Sequence, residues 1–241
     1  MKQPDALMNG QATVDVIQSC VPGIKNAWQM PSVDVDTILL GIRIATYGDS
    51  MEVNTTVPGT KLENTVQANL NTMMDQIKNP TFVDTIKTKN GLTITIRPWN
   101  YKENTAVQMQ AYEEQRMVRN ITASDMTESS KIEEFQKIFL KLSHNTVTRL
   151  SQGIVSIQTS EETVTDRKEI EEFIANIDTT TANEIKAGLD AIQTAGNVQP
   201  IDIATTEEMQ KDGAPKQYKA SVTLDNSNFF VSRYSRSTAL K

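Results

Sequence analysis

Residues 57–60 (Val-Pro-Gly-Thr) form a predicted turn with the spacing of a zinc knuckle. Such a knuckle reads Cys-Pro-x-Cys, and its two thiolates bind the metal in a tetrahedral site. Val57 and Thr60 stand at the two ligand positions here, and neither side chain offers a thiolate or an imidazole. The pattern predicts the frame of a metal ribbon without metal chemistry, so we expect no cofactor.

Few other side chains could act as nucleophiles or metal ligands. The chain has one cysteine, Cys20, and one histidine, His144, which excludes a disulfide framework and a polyhistidine metal cluster. Cys20 ends a predicted helix, where the helix dipole does not lower the pKa of a thiol, so we expect a buried small hydrophobe. The sequence brings no nucleophile or carboxylate to His144, and we interpret it as a surface or core-edge residue.

Adjacent glutamates recur along the chain and invite interpretation as catalytic or metal-binding carboxylate pairs. Neighbouring residues on a helix point about 100° apart, so they cannot hold one ion together as residues four apart can. No phosphate-binding, dinucleotide-binding, serine-hydrolase or zinc-protease motif occurs in the sequence. We therefore predict that the protein is not an enzyme and has no small-molecule substrate. The pairs begin at Glu113, Glu133, Glu161, Glu171 and Glu207.

Charge and hydropathy limit the classes of partner. The 241-residue chain has a formal net charge of −6 and an isoelectric point near 5.0, without a cluster of Lys or Arg, which argues against nucleic acid as a partner. The mean hydropathy is −0.41, and no apolar run is long enough for a signal peptide or a membrane span. We expect a protein made and used in the cytoplasm, without a membrane partner.

The first hundred residues predict helices and a small sheet. One helix begins with Ser32 or Asp34 as its N-cap and ends at Gly48. Alternating residues at 51–55 and 65–70 predict a hairpin around the 57–60 turn. Together with a strand at 92–96, these segments predict one antiparallel sheet of about three or four strands.

The following hundred residues are predominantly helical. Residues 101–120 predict a charged helix, and a Ser-x-x-Glu capping box opens a longer helix over residues 130–157. At 1.5 Å per residue this helix is roughly 40 Å long, and its apolar stripe, which includes Phe135 and Phe139, predicts a buried face. Two shorter helices follow, with start signals at Asp166 and Thr181.

Residues 197–216 are mixed and polar and predict a linker, which a last strand at 218–224 follows. The predicted class is α+β: a mostly helical body with one long helix, plus a small antiparallel β-sheet that carries a zinc-ribbon-like hairpin without metal ligands. We expect three regions. They are 1–98 with the N-terminal helices and small sheet, 99–196 as the helical domain, and 197–241 as linker, final strand and interaction tail.

The C-terminal segment differs in kind from the rest of the chain. Two adjacent aromatic residues follow a polar turn, and a small basic, Ser-rich tail comes after them. Adjacent residues of an extended segment point to opposite sides, so one ring can seal the protein's own sheet while the other meets a partner. The alternative, that both rings lie in the core, stays open. The predicted interface residues are Asp225, Asn228, Phe229, Phe230, Arg233 and Arg236.

Four motifs share an order and a spacing across nearly the whole chain. They are residues 4–10 (PDALMNG) with 19–22 (SCVP), 42–48 (IRIATYG), 97–101 (RPWNY) with 113–116 (EEQR), and 224–230 (LDNSNFF). In this order they resemble the T4-type bacteriophage tail baseplate hub proteins, a family of hub subunits and hub-assembly proteins.

Two departures from the family pattern matter. Relatives often carry Cys-Pro-x-Cys at the first hairpin and again before the last strand, whereas residues 57–60 and 211–219 hold no cysteine here. The family's zinc is therefore not carried over. Relatives also tend to begin with a short β-rich segment before the motif at residues 4–10, so we expect part of the first sheet to be absent or supplied by a neighbour.

The resemblance implies a non-enzymatic structural or assembly component of the baseplate hub of a contractile phage tail. Its partners would be other baseplate or hub proteins, with a homo-oligomer left open. It would act in the host cytoplasm during assembly, and in the virion tail if retained there. One alternative is a transient hub-assembly chaperone that is absent from the virion. Another is a nucleic-acid-binding or regulatory protein derived from a zinc ribbon.

The missing knuckle cysteines generate a prediction about metal content. We expect the purified protein to hold no stoichiometric zinc and to unfold at the same temperature with and without a chelator, because a closed zinc site normally supplies much of such a module's stability. Elemental analysis and thermal melts check this. About one zinc per chain would refute the interpretation of residues 57–60 as a ribbon without metal.

Overall fold

The structure is a computed structural model that describes residues 10–222, apart from the side chain of Leu140. It combines helices with small antiparallel sheets, which confirms the predicted α+β class. The helices are α1 (Gln11–Cys20), α2 (Val35–Tyr47), α3 (Leu70–Ile77), α4 (Tyr101–Thr122), α5 (Glu128–Gly153), α6 (Arg167–Asn176), α7 (Thr179–Ala195) and α8 (Glu207–Lys211). The strands are β1 (Ser50–Thr56), β2 (Glu63–Asn69), β3 (Thr85–Lys87), β4 (Thr93–Ile96), β5 (Ile154–Gln158), β6 (Thr163–Val164), β7 (Ile201–Ala204) and β8 (Gln217–Ala220).

The chain divides into two compact units. Among the described residues, the first comprises Thr81–Ala195 with Lys25–Ser32 and the start of α1, and the second comprises Val33–Pro80, residues 196–222 and the rest of α1. The division into residues 1–98, 99–196 and 197–241 stays a prediction. None of the described helices is both long enough and apolar enough to cross a membrane.

The first unit is built on a four-stranded antiparallel sheet with the order β3-β4-β5-β6. Its two central strands place Ile94 opposite Ile157, and both side chains are buried. Helix α7 packs against β3 and β4, so its apolar residues at helical spacing cover one face of the sheet. Ile185, Leu189 and Ile192 are the buried residues of that stripe.

The long helix ends four residues earlier than the apolar spacing predicts. Helix α5 stops at Gly153, and the predicted helical residues 154–157 belong to β5. An added Cβ on Gly153 would lie 3.2 Å from Cγ of Leu189, which shows how closely α7 approaches here. The Arg97 backbone N–H also donates to the Gly153 carbonyl at 2.8 Å. The spacing of Ile154 and Ile157 fits both a helix and a strand. Their pairing with β4 makes this segment a strand.

Two predicted helix starts are corrected by the capping contacts. Helix α5 begins after Thr127, whose hydroxyl accepts from the Ser130 backbone N–H, so Ser130 lies inside the helix. Helix α7 begins at Thr179, and the carboxylate of Asp178 accepts from the Thr181 N–H and hydroxyl. In both cases a preceding oxygen-bearing side chain satisfies the free N–H groups first.

The second unit packs α2 and α3 beside the predicted hairpin. Strands β1 and β2 pair antiparallel with Val53 opposite Val66, which confirms the hairpin around residues 57–60. The confirmed end of α2 at Gly48 has φ of 85°, a conformation that glycine adopts without strain. Asp34 stands at the N-cap position of α2 but makes no side-chain capping hydrogen bond.

The predicted linker at residues 197–216 is wrong, because it contains β7 and α8. Strand β7 pairs antiparallel with β8, and Ile203 lies opposite Tyr218. The linker interpretation rested on polar composition, but alternate residues of β7 point toward an apolar cluster that also holds Val57 and Ala214. Short strands with one buried face carry too few apolar residues to stand out from a loop.

The predicted single sheet of three or four strands is also wrong. The described residues form separate antiparallel sheets of two, four and two strands. The β1–β2 hairpin does not join β4, and residues 71–90, left unassigned by the sequence pattern, contain most of α3 and all of β3. Strand partners distant in the sequence leave no local pattern, which explains this error.

Gly196 generates a stability prediction, because its α-hydrogens face the backbone of Val33 inside the second unit. An added Cβ would lie 2.7 Å from the Val33 Cα, closer than atoms approach without displacement of the backbone. We expect Gly196→Ala to lower the free energy of unfolding by about 1–3 kcal/mol in denaturant melts. Gly23→Ala is the matched control, since its added Cβ meets nothing within 4 Å; equal effects for the two variants would contradict this packing.

Candidate interaction surface

Helices α4 and α5 form an antiparallel hairpin that leaves much of its own surface uncovered. No residue of α4 is buried, and no described side chain of α5 is buried before Leu150, close to its end. A surface helix usually buries an apolar stripe against the core. This hairpin therefore joins the core of the first unit at its base, and the rest of its length lacks a second layer.

The seam between the two helices is partly polar. The Gln110 side-chain amide donates to the Asn145 carbonyl oxygen at 2.9 Å, and the Asn145 amide donates to the Glu114 carboxylate at 2.7 Å. Met117 and Ile138 are half-buried. These contacts align the helices but remove little apolar area from water, so they stabilise the pair weakly.

One face of the hairpin is apolar and open to solvent. The exposed fractions are 57% for Ile132, 39% for Phe135 and 67% for Phe139. The prediction that Phe135 and Phe139 lie in a core is therefore wrong. Their spacing by three and four is genuine, but the described residues around them leave both rings exposed.

A groove of about 650 Å³ runs along this face. Its lining contains aliphatic and aromatic side chains and one amide, and no charged residue. Contiguous exposed apolar patches on soluble proteins mark interaction sites. The lining residues, which we name the hairpin groove, are Val118, Ile132, Phe135, Gln136, Ile138, Phe139 and Leu142.

Most charged side chains of α5 lie away from the hairpin groove; the exceptions, Glu128 and Lys131, lie one turn before Ile132 and Phe135 and form an ion pair at 3.5 Å. Glu133, Lys137 and Lys141 are exposed and follow one another at intervals of four residues, which places them on another face of the helix. Lys137 forms an ion pair with Glu134 at 2.6 Å. His144, one turn beyond, is exposed, as the surface interpretation predicted.

The base of the hairpin is fixed by an ion pair with two hydrogen bonds. The Arg97 guanidinium donates from Nη1 to Oε2 of Glu103 at 2.9 Å and from Nη2 to Oε1 at 2.8 Å. Glu103 also accepts from the Asn100 backbone N–H, while the Asn100 side chain accepts from the Glu103 N–H. This capping box fixes the first turn of α4 against the residues that follow β4.

Electrostatics at this base favour the ionised carboxylate. Burial alone would raise the pKa of Glu103, but the hydrogen bonds from Arg97 and from the Asn100 N–H outweigh it, so the pKa lies below its ordinary value. The pKa of Arg97 is raised by its hydrogen bonds to Glu103. A second contact, the stacking of Trp28 on Tyr101 at 5.5 Å between ring centroids, holds the start of α4 from the other side.

The turn at residues 57–60 does not fit a metal ion. Val57 is fully buried in an apolar cluster with Ile203, Ala214 and Tyr218. The Thr60 hydroxyl donates to the Val57 carbonyl at 3.0 Å and accepts from the Leu62 N–H at 3.1 Å, so it serves the turn itself. Methyl groups thus occupy the space where a ribbon would hold thiolates.

The other candidate residues do not assemble a reactive centre. Cys20 is exposed, which contradicts its predicted burial; it is the last residue of α1, and only part of that helix faces a core. No group of three or more carboxylate, His or Cys side chains suited to a metal occurs among residues 10–222. The six predicted interface residues from Asp225 to Arg236 lie outside the described residues.

A polar cleft of about 450 Å³ in the first unit is lined by Asn90, Glu172, Asn176 and Asp178 together with three apolar residues. Three of its four polar side chains are engaged within the protein: the Asn90 amide donates to the Thr181 hydroxyl, which donates to Asp178, and the Asn176 amide donates to the Glu172 backbone carbonyl. The first two of these contacts form the cap of α7. Together the hydrogen bonds explain the arrangement without a ligand.

Sequence reasoning missed the hairpin groove, although a signal for it was present. Both α4 and α5 contain more polar than apolar residues. Two such helices joined as a hairpin have little apolar area for a shared core. The apolar stripe of α5 therefore predicts an interface as readily as a core.

Comparison with known proteins gives one positive result. A family model described as the T4 bacteriophage base plate protein matches residues 2–208 of the chain. No curated protein matches this chain, and no solved structure matches it either.

The base of the hairpin generates a pH-dependent prediction. We expect Glu103→Gln to lower the free energy of unfolding at pH 7 by about 1 kcal/mol, because the half-buried Arg97 guanidinium loses its charged partner and solvent screens part of the effect. Since the pKa of Glu103 is lowered in the folded chain, its contribution is present above the ordinary value of 4.5 and disappears as the pH falls through the lowered value.

Denaturant melts at pH 7 and below 4.5 measure this difference. Glu113→Gln, an exposed position on the same helix, is the control and should change stability by less than about 0.5 kcal/mol. A loss for Glu103→Gln that stays constant across this pH range would contradict the role of the charge.

Proposed function

Since this chain belongs to the family of T4 bacteriophage base plate proteins, we propose that it is a non-enzymatic subunit of the hub of a contractile-tail baseplate. The family makes it a structural component of a phage baseplate. The hub assignment is the finer proposal. It rests on the resemblance of the four motifs described above and on a surface suited to assembly.

The observation that carries the proposal is the uncharged, exposed hairpin groove. Phe139 is 67% exposed, and leaving such a ring in water forgoes roughly 1.5–3 kcal/mol of burial free energy. A structural subunit recovers that free energy when a neighbour covers the ring in the assembled particle. Among the described residues, no group of three or more potential metal ligands suggests a competing metal site.

We place the second contact of the protein in its C-terminal segment. Phe229 and Phe230 supply apolar anchors, and Arg233 and Arg236 supply positive charge in a chain of net charge −6. Aromatic and Arg side chains dominate the binding energy of many interfaces. We propose that this segment contacts other hub proteins, with Asp225 and Asn228 completing the polar turn before the rings.

A hub-assembly chaperone is the second candidate function. It is favoured by the same observation, because a chaperone also needs an exposed apolar surface to cover a neighbour before assembly. The two functions differ in one respect: a subunit stays in the virion tail, whereas a chaperone acts in the host cytoplasm and leaves. The fold does not support the alternative of a nucleic-acid-binding or regulatory protein derived from a zinc ribbon, because Val57 in the turn at residues 57–60 packs into an apolar cluster.

Purified virions test the proposed function. We expect mass spectrometry to find the chain in tails at a fixed ratio to other baseplate proteins, and a phage lacking the gene to form no infectious tails. Wild-type protein and His144→Glu, on the charged face of α5, should restore infectivity. Phe139→Glu should not. A required protein that is absent from virions would be a chaperone, and a dispensable one would refute both functions.

A further inference from the structure

We propose that the hairpin groove binds the hairpin groove of a second copy of this chain, so that two α4–α5 hairpins form a four-helix bundle. The inference deepens the proposed function, on which it rests for the role of this surface, by naming the occupant. Self-association is a property of the purified protein, so it succeeds or fails separately from the baseplate assignment.

The first argument is that one hairpin lacks the layer it needs. Two helices packed side by side bury only the seam between them, and here that seam contains the polar contacts of Gln110, Glu114 and Asn145. Four-helix bundles close such a structure by placing apolar positions of all helices around one core. A second identical hairpin is the smallest addition that gives the exposed rings of α5 an apolar layer to pack against.

The second argument is electrostatic. The chain is acidic overall, with a net charge of −6, so two copies repel each other unless they meet through an uncharged surface. The hairpin groove is such a surface, because none of its lining residues is charged. On α4, Gln115 and Thr122 lie one turn from Val118 and are uncharged, and the carboxylate of Glu114, also one turn away, accepts a hydrogen bond from Asn145.

Recognition of a different, charged partner would call for a net charge around the groove, since electrostatic complementarity supplies specificity between unlike proteins. The charged residues of α5 that border the groove, Glu128 and Lys131, form an ion pair with each other, so together they carry no net charge. An uncharged patch matches itself without any such arrangement. A twofold interface requires this property, because the same patch serves both subunits.

The third argument is shape. The face combines a projecting group, Phe139 at 67% exposure, with a concave space of about 650 Å³ beside it. In a symmetric pair, each Phe139 can enter the groove of the other copy, as a knob enters a hole. A face two helices wide and about 20 Å long buries on the order of 1,000 Å² in such a pair, which reaches the lower end of specific interfaces.

The experiment is sedimentation equilibrium of the full-length chain across a concentration series. We expect a reversible monomer–dimer equilibrium. Phe139→Glu should raise the dissociation constant by at least about 100-fold, because the dimer would bury an unpaired carboxylate. His144→Glu is the matched control, as it adds the same charge to the same helix one turn away at an exposed position, and it should dimerise like the wild type.

Circular dichroism verifies that each variant keeps its helices. If Phe139→Glu fails to fold, Ile132→Gln replaces it, since Ile132 is 57% exposed in one copy and its exchange leaves no cavity. A full-length chain that stays monomeric throughout the series would overturn the proposal. So would a dimer that Phe139→Glu leaves intact, because the contact would then lie elsewhere.

A variant truncated after Leu224 tests the competing occupant, the chain's own C-terminal segment. We expect the truncated chain to dimerise with the same dissociation constant as the full-length chain. If truncation alone converts a monomer into a dimer, the C-terminal segment covers the hairpin groove in the intact protein. That result would overturn the second-copy assignment.

Discussion

The Arg97–Glu103 ion pair fixes the point from which the α4–α5 hairpin starts, and the exposed surface of the protein depends on that point. Arg97 follows the central strand β4, and its backbone N–H bonds the last residue of α5, Gly153. The two ends of the hairpin are therefore held at one place on the sheet. Beyond this base few residues of the two helices are buried. The ion pair therefore sets the position of the apolar face, and that face stays exposed to solvent.

The two units of the chain solve the same problem of a small core in different ways. In the first, a four-stranded sheet and α7 enclose aliphatic side chains such as Ile94 and Leu189. In the second, the two short hairpins share a cluster around Val57 and Tyr218. The Tyr218 hydroxyl meets the Thr55 hydroxyl at 2.6 Å and accepts from Asn64 at 3.1 Å, so polar atoms at the edge of this cluster are also paired.

Turn and capping residues in the sequence predicted individual helices and strands. Pairing between strands distant in the sequence determined the features that these local signals could not predict. The hairpin at residues 57–60 and the helix ending at Gly48 followed from turn and capping residues. The spacing of Ile154 and Ile157 suits a helix as well as a strand, and in the structure both residues pair with β4. The exposure of Phe139 was likewise beyond a single-helix pattern, because an apolar stripe records what a helix can bury and not whether its neighbour covers it.

The apolar cluster at the turn of residues 57–60 also bears on the redox conditions under which the protein stays folded. Thiolates that hold a metal stay reduced in a cytoplasm but oxidise to disulfides or sulfenic acids outside the cell. Val57, Ala214 and Ala220 contain nothing that such oxidation can alter. The packing of this cluster therefore depends on neither reduced thiols nor a supply of metal, and it contains no pair of thiols that an oxidising medium could join.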